Sequence, residues 1–297
     1  MKEKFRNEKM GLKGAAMTLF LCALWGGLTP TIKLSLEGMP PFGIAAWRFL
    51  LGALVLWIWC LVRGREWRVP SGSRLAIFLF ACVFVAQIGA INWGTRLTDA
   101  KYAIVLVTTS PIFVALLSHQ LIPGDRLSVR KVLGLSAAFL GIVLIFGLDA
   151  SSGRAFLGNA LALGSGLLLA VLQVYAKHLV TRLTAYQVVL WEMTLGVPLF
   201  FAVSLLSEPT QYELTVSVVV SLLYQGIVIA GFCFVSWIVL LERYAASRLS
   251  AYQFSIPIFG VLLSRLLLGE EITPMLTLGV AIVAVGMTMV IITAGID

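Results

Sequence analysis

Long apolar runs separated by short polar connections follow one another along the whole chain of 297 residues. A helix needs about 20 apolar residues to cross the hydrocarbon core of a bilayer, and ten segments are long and apolar enough. A membrane β-barrel would instead alternate apolar and polar residues along segments of about ten residues. The pattern therefore predicts an all-α integral membrane protein with ten transmembrane helices. We number these predicted spans 1 to 10 in chain order: 13–35, 41–62, 74–96, 101–122, 131–148, 156–178, 185–206, 216–241, 249–268 and 274–294.

One apolar stretch occurs twice in the chain. Residues Pro111–Ser118 read PIFVALLS, and residues Pro257–Ser264 read PIFGVLLS. Other landmarks recur at a nearly constant offset of about 144 or 145 positions. These pairs are Gly14 and Gly158, Lys33 and Lys177, Trp47 and Trp191, Trp93 and Trp237, Gly124 and Gly269, Gly134 and Gly279, and Gly141 and Gly286. We interpret the chain as a basic segment at 1–12 followed by two homologous five-helix repeats at 13–148 and 156–294.

Lys and Arg are distributed unequally between the two sides that ten spans would create. With the N-terminus inside the cell, sixteen of them lie in inside segments and five in outside segments, and Arg48 lies within span 2. Because cytoplasmic loops carry an excess of positive charge, both termini are predicted to be cytoplasmic. Each repeat has an odd number of spans, so the second would cross the membrane in the opposite sense to the first. Inverted repeats of this kind are typical of secondary transporters.

Composition and charge agree with a membrane protein. The chain is 60% hydrophobic and 12% charged, with a mean hydropathy of +0.98, whereas soluble domains carry about 25% charged residues. The net charge of +8 is explained by basic cytoplasmic segments, so we expect no nucleic-acid partner. The four cysteines lie in apolar runs without metal-like spacing and the chain has two histidines, so we expect no metal site; we also expect no cofactor. The expected location is the cell inner membrane, as a monomer or a homodimer.

These features resemble the EamA-type transporters of the drug/metabolite transporter superfamily. The matching residues are Trp25-Gly26 in span 1, Arg48 in span 2, Pro111 and Pro257, the Leu-Leu-Leu-Gly-Glu sequence that ends at Glu270, and Gly279 and Gly286 in span 10. The resemblance implies that the two repeats are EamA-like and that a central cavity is lined by spans 1, 3, 4, 6, 8 and 9. It also implies peripheral positions for spans 5 and 10, and substrates among amino acids, metabolites, sugars and toxic compounds.

Pro111 and Pro257 lie near the middle of spans 4 and 9. A proline within a helix cannot donate to the carbonyl four residues back, so the carbonyls of Val107 and Gln253 are predicted to be free. We interpret the two prolines as a paired hinge whose freed carbonyls face a cavity. The alternative is a static kink that neighbouring Thr and Ser hydroxyls satisfy.

Glu192 is the one acidic residue well inside a span, and Arg48 is its counterpart in the first repeat. An ionised carboxylate in hydrocarbon is costly, so Glu192 should face protein or water, or be protonated. It is either a group that couples transport to a proton or contacts a cationic solute, or a partner for Lys177 or Arg182. Arg48 is interpreted as structural, bonded to carbonyls or to Glu37, with contact to an anionic substrate group as the alternative.

Amide and aromatic side chains at depth within the spans suggest a cavity wall. Such groups suit a zwitterion or an amphipathic organic solute better than charge clusters do. The alternative is hydrogen bonding between helices, worth about 0.6 kcal/mol for each bond. The candidates are Trp25, Thr29, Gln87, Gln173, Tyr224, Gln225, Tyr252 and Gln253.

Residues near span ends are predicted to meet the membrane surface. Lys33 and Lys177 can extend their ammonium groups to the interface. Aromatic side chains at this depth form an interfacial belt in many membrane proteins. Those expected in the belt are Trp57, Trp59, Trp67, Trp93 and Trp237.

Together the features predict a secondary transporter that exports small metabolites, such as amino acids or related amphipathic solutes, by alternating access between the repeats. A proton is the candidate coupling ion. The alternative is a passive channel or a lipid flippase. The chain has no Walker motif, and Gly164-Ser165-Gly166 lacks the pattern of a nucleophile elbow, so we do not expect an enzyme.

Overall fold

The computed structural model describes residue 8, residues 10–123, eight positions between 129 and 141, residues 153–209 and residues 211–294. Within these ranges the chain is helical apart from turns and short connections. The helices that are long and apolar enough to cross a membrane correspond to predicted spans 1–4 and 6–9. They are Leu12–Ser35, Pro41–Val62, Ser71–Leu97, Ala100–Leu121, Gly153–Leu179, Ala185–Ser207, Val216–Arg243 and Ala246–Leu268.

Predicted spans 5 and 10 are not among these helices. Span 10 coincides with a helix over Pro274–Ala294. Most of span 5 falls outside the described residues, as does Asp125 next to it. The all-α fold is confirmed over the described ranges, while the number of ten spans stays a prediction.

Among the spans that the structure describes, four are interrupted within their length. Spans 2, 6 and 7 are single α-helices. Span 3 begins with a 3-10 turn at Ser71–Ser73 and continues as an α-helix over Arg74–Leu97. The interrupted spans consist of Leu12–Gly26 and Leu28–Ser35 (span 1), Ala100–Val107 and Ser110–Leu121 (span 4), Val216–Leu223, a π-helical Tyr224–Cys233 and Phe234–Arg243 (span 8), and Ala246–Ala251, a 3-10 Tyr252–Ser255 and Ile256–Leu268 (span 9).

The N-terminal ends of spans 2 and 4 are each bonded to a carboxylate from the second half of the chain. Glu208 accepts hydrogen bonds from the backbone N–H of Phe42 at 2.9 Å and of Gly43 at 3.1 Å. Glu270 accepts from the first two N–H groups of span 4 at 3.0 and 3.1 Å. The first N–H groups of a helix have no partner within it and favour negative charge. Each acid therefore stabilises a helix start and joins the two halves.

The C-terminal ends of spans 3 and 8 are bonded to lysines. The Lys33 ammonium donates to the carbonyls of Thr95 at 3.0 Å and Thr98 at 2.7 Å. Lys177 donates to two carbonyls at the end of span 8, at 2.8 and 2.7 Å. Positive charge at a helix C-terminus satisfies carbonyls that have no partner in the helix. Lys177 is only 1% exposed, so it caps a helix instead of extending to the membrane surface.

The two halves interdigitate. The most extensive helix contacts are between spans 3 and 6 and between spans 2 and 7, and each pair joins the first half to the second. Spans 3 and 6 approach closely at Gly94 and Gly158, where a Cβ atom on either would lie within 3.0 Å of the other's carbonyl oxygen. Helices from both halves therefore pack against each other at these two places.

The outer surface of the helices is apolar. Leu54, Ile58, Leu75, Leu116 and Val220 are among many large apolar side chains that are 45–70% exposed. Soluble proteins rarely expose a continuous apolar surface of this extent, and the backbone groups beneath it are satisfied within helices. The protein is therefore a multi-pass integral membrane protein.

Candidate functional site

A cavity of about 120 Å³ lies at the centre, among spans 1, 3, 4, 6, 7, 8 and 9. The wall includes the six spans that the family resemblance implies, and span 7 adds one acidic residue. The polar side chains on the wall are Thr29, Gln87, Thr108, Gln173, Glu192 and Gln253. The aromatic ones are Trp25, Phe80, Phe84, Phe234 and Trp237. A mostly apolar wall with a few polar groups is typical of a small-molecule site.

Trp25 and Thr29 lie on either side of the break in span 1. The break is at Gly27, where a Cβ atom would lie 2.7 Å from the hydroxyl oxygen of Tyr224. The Tyr224 hydroxyl also donates to a carbonyl of span 1. Tyr224 therefore packs against the break and is not part of the wall, although we predicted it there.

Three amide side chains on the wall are held in place by hydrogen bonds between helices. Gln173 Nε2 donates to Gln253 Oε1 at 3.0 Å, and the Ser110 hydroxyl donates to the same oxygen at 3.3 Å. Gln87 Nε2 donates to the Ser165 hydroxyl at 2.8 Å. The wall position and the interhelical bond, which we treated as alternatives, are found together at these amides.

Glu192 lies on the cavity wall and is 3% exposed. Across the described ranges its carboxylate has no hydrogen-bond or ion-pair partner. The ammonium of Lys177, one partner that we considered, is bonded to backbone carbonyls of span 8. Glu192 is also the one ionisable side chain on the wall as described. It is therefore the group that would respond most to a charge inside the cavity.

Arg48 is buried beside span 8 and away from the cavity wall, with 1% exposure. Its Nη1 donates to Gln225 Oε1 at 3.5 Å, and Gln225 Nε2 donates to the Ser35 hydroxyl at 3.0 Å. The guanidinium lies 4.4 Å from the centre of the Phe49 ring, while Nε and Nη2 have no partner in the described chain. The partner is an amide and not Glu37, which is exposed. Gln225 thus belongs to this buried network and not to the wall.

Pro111 and Pro257 each follow a break and lie in the first turn of the second helix of their span. A first-turn proline removes no hydrogen bond from that helix. The carbonyl of Val107 packs against span 6, where a Cβ atom on Gly166 would lie 3.0 Å from it. Tyr252 lies in the 3-10 turn of span 9 and is not part of the wall. The role of the prolines as a hinge stays a prediction.

Trp237 is the wall residue that we placed elsewhere. We expected it in the interfacial belt, but it is 4% exposed and lines the cavity. Its ring lies edge-to-face on Trp25, with ring centres 5.2 Å apart. An apolar side chain in a span can face lipid, a neighbouring helix or a cavity, so its position along the chain carries no signal for the choice.

A multi-pass helical membrane protein whose two halves enclose a small-molecule cavity has the general form of a transporter. The chain belongs to the EamA-like transporter family, whose model matches residues 12–147 and again residues 156–292. The resemblance that the sequence suggested is therefore confirmed. The protein is a membrane transporter that handles a small-molecule solute.

Relatives along nearly the full length carry transporter names. The chain is 25% identical over 292 residues to a probable amino-acid metabolite efflux pump of Escherichia coli (strain K12), covering 94% of each chain. It is 30% identical over 258 residues to an uncharacterized transporter of Archaeoglobus fulgidus, covering 84% of this chain and 86% of the other. A solved structure, titled only "Crystal structure of protein", has 18% identity and a TM-score of 0.76 over 94% of this chain and 98% of its own. That structure shows a shared fold.

Proposed function

We propose that this transporter is a secondary exporter of small amphipathic metabolites, amino acids among them, and that it works by alternating access. The observation that carries the proposal is that both halves build the cavity wall. Spans 1, 3 and 4 contribute from the first half and spans 6 to 9 from the second. A site between two repeats can open to either side when the repeats rock against each other. The efflux-pump name of the Escherichia coli relative supports the substrate class and the direction.

The proposed topology has ten spans, both termini in the cytoplasm, and inverted repeats at 13–148 and 156–294. The separate match of the family model to each half supports two equivalent units. Single cysteines in a cysteine-free background test the sidedness through labelling with a membrane-impermeant maleimide. Ser152→Cys and Glu37→Cys should react from outside intact cells, and Arg65→Cys only after permeabilisation. Labelling of Ser152→Cys only from the cytoplasm would contradict the inverted arrangement.

Spans 2 and 7 are proposed as the stationary frame, because they are bonded to each other at both ends. At one end Glu208, just after span 7, accepts from two N–H groups of span 2. Towards the other end Trp57 Nε1 of span 2 donates to the Thr194 hydroxyl at 3.1 Å, and Trp191 Nε1 donates to the carbonyl of Trp67 at 2.7 Å. The interrupted spans 1, 4 and 9 all reach the cavity wall. Bending at their breaks would change access while the frame stays fixed.

Counterflow in proteoliposomes tests the transport mechanism. Purified protein is first screened by thermal shift against amino acids, nucleosides and organic cations, because a ligand at 100 times its dissociation constant adds about 2.7 kcal/mol of stability. A ligand found in this way, radiolabelled and added outside vesicles loaded with unlabelled solute, should accumulate transiently. A channel gives no such trans-stimulation, so its absence would overturn the proposal.

A matched pair of variants tests the route through the cavity. Ile88 lies on the part of the cavity wall that span 3 forms and is 4% exposed, so Ile88→Trp should fill the cavity and abolish counterflow. Leu79→Trp adds the same ring to the same helix at a position that is 47% exposed, and should leave counterflow intact. Equal counterflow in both variants would place the route elsewhere.

A proton is the proposed coupling ion, with Glu192 as its site. Two basic groups buried in the spans have other partners, since Lys177 donates to carbonyls of span 8 and Arg48 to Gln225. Glu192→Gln should abolish accumulation driven by a pH gradient and spare exchange at saturating solute. Unchanged accumulation in this variant would rule out Glu192 as the coupling group.

A further inference from the structure

The charge balance of the cavity wall indicates the class of solute that it holds. Glu192 is buried on the wall, with no partner for its carboxylate in the described chain. A buried carboxylate without a counter-charge is unfavourable, and pairing with a cation removes much of that penalty. A ligand that carries a positive charge would therefore stabilise the buried carboxylate of Glu192 most.

No basic side chain on the described wall would receive an anion. Lys177, on span 6, is turned to the carbonyls of Leu241 and Tyr244 at 2.8 and 2.7 Å. Arg48, on span 2, donates to Gln225 and lies off the wall. An anionic solute would meet the carboxylate of Glu192 with only amides and hydroxyls to offset the repulsion.

The aromatic side chains of the wall suit the apolar body of such a ligand and its charge. Trp25 and Trp237 pack edge-to-face with ring centres 5.2 Å apart, and Phe234 packs on Trp25 at 6.2 Å. Aromatic faces attract cations as well as apolar groups, with indole the strongest. The pocket thus combines one carboxyl group with a wall of aromatic and aliphatic side chains.

We propose that the cavity recognises an organic cation, a protonated amine on a compact apolar body, and that Glu192 contacts the ammonium group. This inference rests on the proposed function, in which the cavity is the solute site. It predicts a fixed order of preference among solutes that share one body, with the cation first, the zwitterion second and the anion last.

The first test compares three phenyl compounds of similar size: phenethylamine, phenylalanine and 3-phenylpropionate. Binding to detergent-purified wild-type protein is measured by isothermal titration calorimetry in mildly alkaline buffer, which favours the ionised carboxyl while the amine stays charged. Phenethylamine should bind more tightly than phenylalanine, and 3-phenylpropionate should not bind measurably. This comparison needs no variant, and equal or tighter binding of the anion would overturn the proposal.

The second test changes the carboxyl group. Glu192→Gln, which keeps the shape, should weaken phenethylamine binding on the order of tenfold, equivalent to about 1.4 kcal/mol. Glu192→Asp should retain part of the affinity. Glu37→Gln makes the same chemical change at an exposed position outside the cavity and should bind phenethylamine like wild type. Unchanged affinity in Glu192→Gln would show that the carboxyl does not contact the ammonium group.

Counterflow separates failure of this inference from failure of the transport function. If labelled phenylalanine shows trans-stimulation but phenethylamine neither binds nor competes, the cation preference is wrong and the transporter function stands. If phenethylamine binds through Glu192 but no solute shows trans-stimulation, the cation site stands and the alternating-access function is wrong.

Discussion

Lys33 and Lys177 occupy matching positions in the two halves and form the same contact. Each donates to two carbonyls at the end of another helix of its own half, span 3 for Lys33 and span 8 for Lys177. The breaks before the two prolines also match, because the Thr109 hydroxyl donates to the Leu106 carbonyl at 2.7 Å and the hydroxyl of Ser255 to a carbonyl of span 9 at 2.8 Å. The halves thus share the lysine contacts at these two helix ends and the hydroxyl bonds at the two breaks before the prolines.

The halves differ where helices meet the cavity. Span 1 is broken at Gly27, while span 6, its counterpart, is one helix over Gly153–Leu179. Span 3 is a regular α-helix, while span 8 contains a π-helical segment at Tyr224–Cys233. Where the first half has Arg48 in a buried network, the second half has Glu192 on the cavity wall.

The comparison separates two kinds of position. The lysine contacts and the hydroxyl bonds at the proline breaks satisfy backbone groups, and they occur in both halves because every unsatisfied carbonyl or N–H in a membrane is costly. Side chains that face the cavity have no such requirement, so the two halves can differ there. An asymmetric solute can then meet an acid on one side of the cavity and amides on the other.

The largest expected effect is at the lysine caps. Lys177→Met leaves two carbonyls without their donor at a site that is 1% exposed. We expect it to lower the free energy of unfolding by about 3 kcal/mol. Lys33 is partly exposed, so water can replace its ammonium, and Lys33→Met should lose about 1 kcal/mol. Unfolding in mixed micelles measures both. A loss for Lys177→Met no larger than that for Lys33→Met would show that burial does not set the strength of these two caps.

The carboxylate caps give the next effect, and the two that the structure describes, Glu208 and Glu270, both come from the second half. Glu208 also accepts a hydrogen bond from the Ser204 hydroxyl at 2.8 Å, so Glu208→Ala removes three bonds and should lose about 2 kcal/mol. Glu270 is more exposed, and Glu270→Ala should lose about 1 kcal/mol. Substitution by glutamine at either position keeps one oxygen acceptor, so it should lower the stability less than substitution by alanine. The same unfolding assay would refute the ranking if Glu270→Ala were the more damaging change.

A close helix approach comes third. A Cβ atom on Gly166 would lie 3.0 and 3.2 Å from two carbonyl oxygens of span 4, so Gly166→Ala should destabilise by about 1–2 kcal/mol. Gly164, two residues earlier on the same helix, has nothing within 4 Å, so Gly164→Ala should stabilise by up to about 1 kcal/mol. The matching position in span 1 is Cys22, so the first half accepts a side chain there. Tolerance of both substitutions would mean that spans 4 and 6 can separate freely at this point.

The hydroxyls at the two breaks should have the smallest effect and an equal one. Thr109→Val and Ser255→Ala each remove one hydrogen bond to a carbonyl, and each should lose about 0.5–1 kcal/mol. Thr277→Val removes a similar bond on an exposed face and should change little. Clearly unequal losses at Thr109 and Ser255, measured by thermal unfolding in detergent, would show that one break depends on its hydroxyl and the other does not.

The apolar runs alone placed the spans closely. Span 4 was predicted at 101–122 and is found at Ala100–Leu121, and span 7 was predicted at 185–206 and is found at Ala185–Ser207. Burial of apolar side chains in a bilayer depends on length and composition, which can be read along the chain. The family also followed from motif residues such as Trp25-Gly26 and the sequence ending at Glu270, while the duplication indicated by the recurring residues stays a prediction.

The tertiary structure decided which face each side chain presents. Gln87, Gln173 and Gln253 reach the cavity, while Gln225, an amide at similar depth, bonds Arg48 instead. Trp237 turned inward because span 8 packs against Trp25 of span 1. In a helix that is apolar all round, periodicity does not mark the buried face. The sequence by itself determined that helices cross a membrane and that an acid lies within one of them, whereas the packing of spans from both halves determined that this acid faces a cavity without a partner.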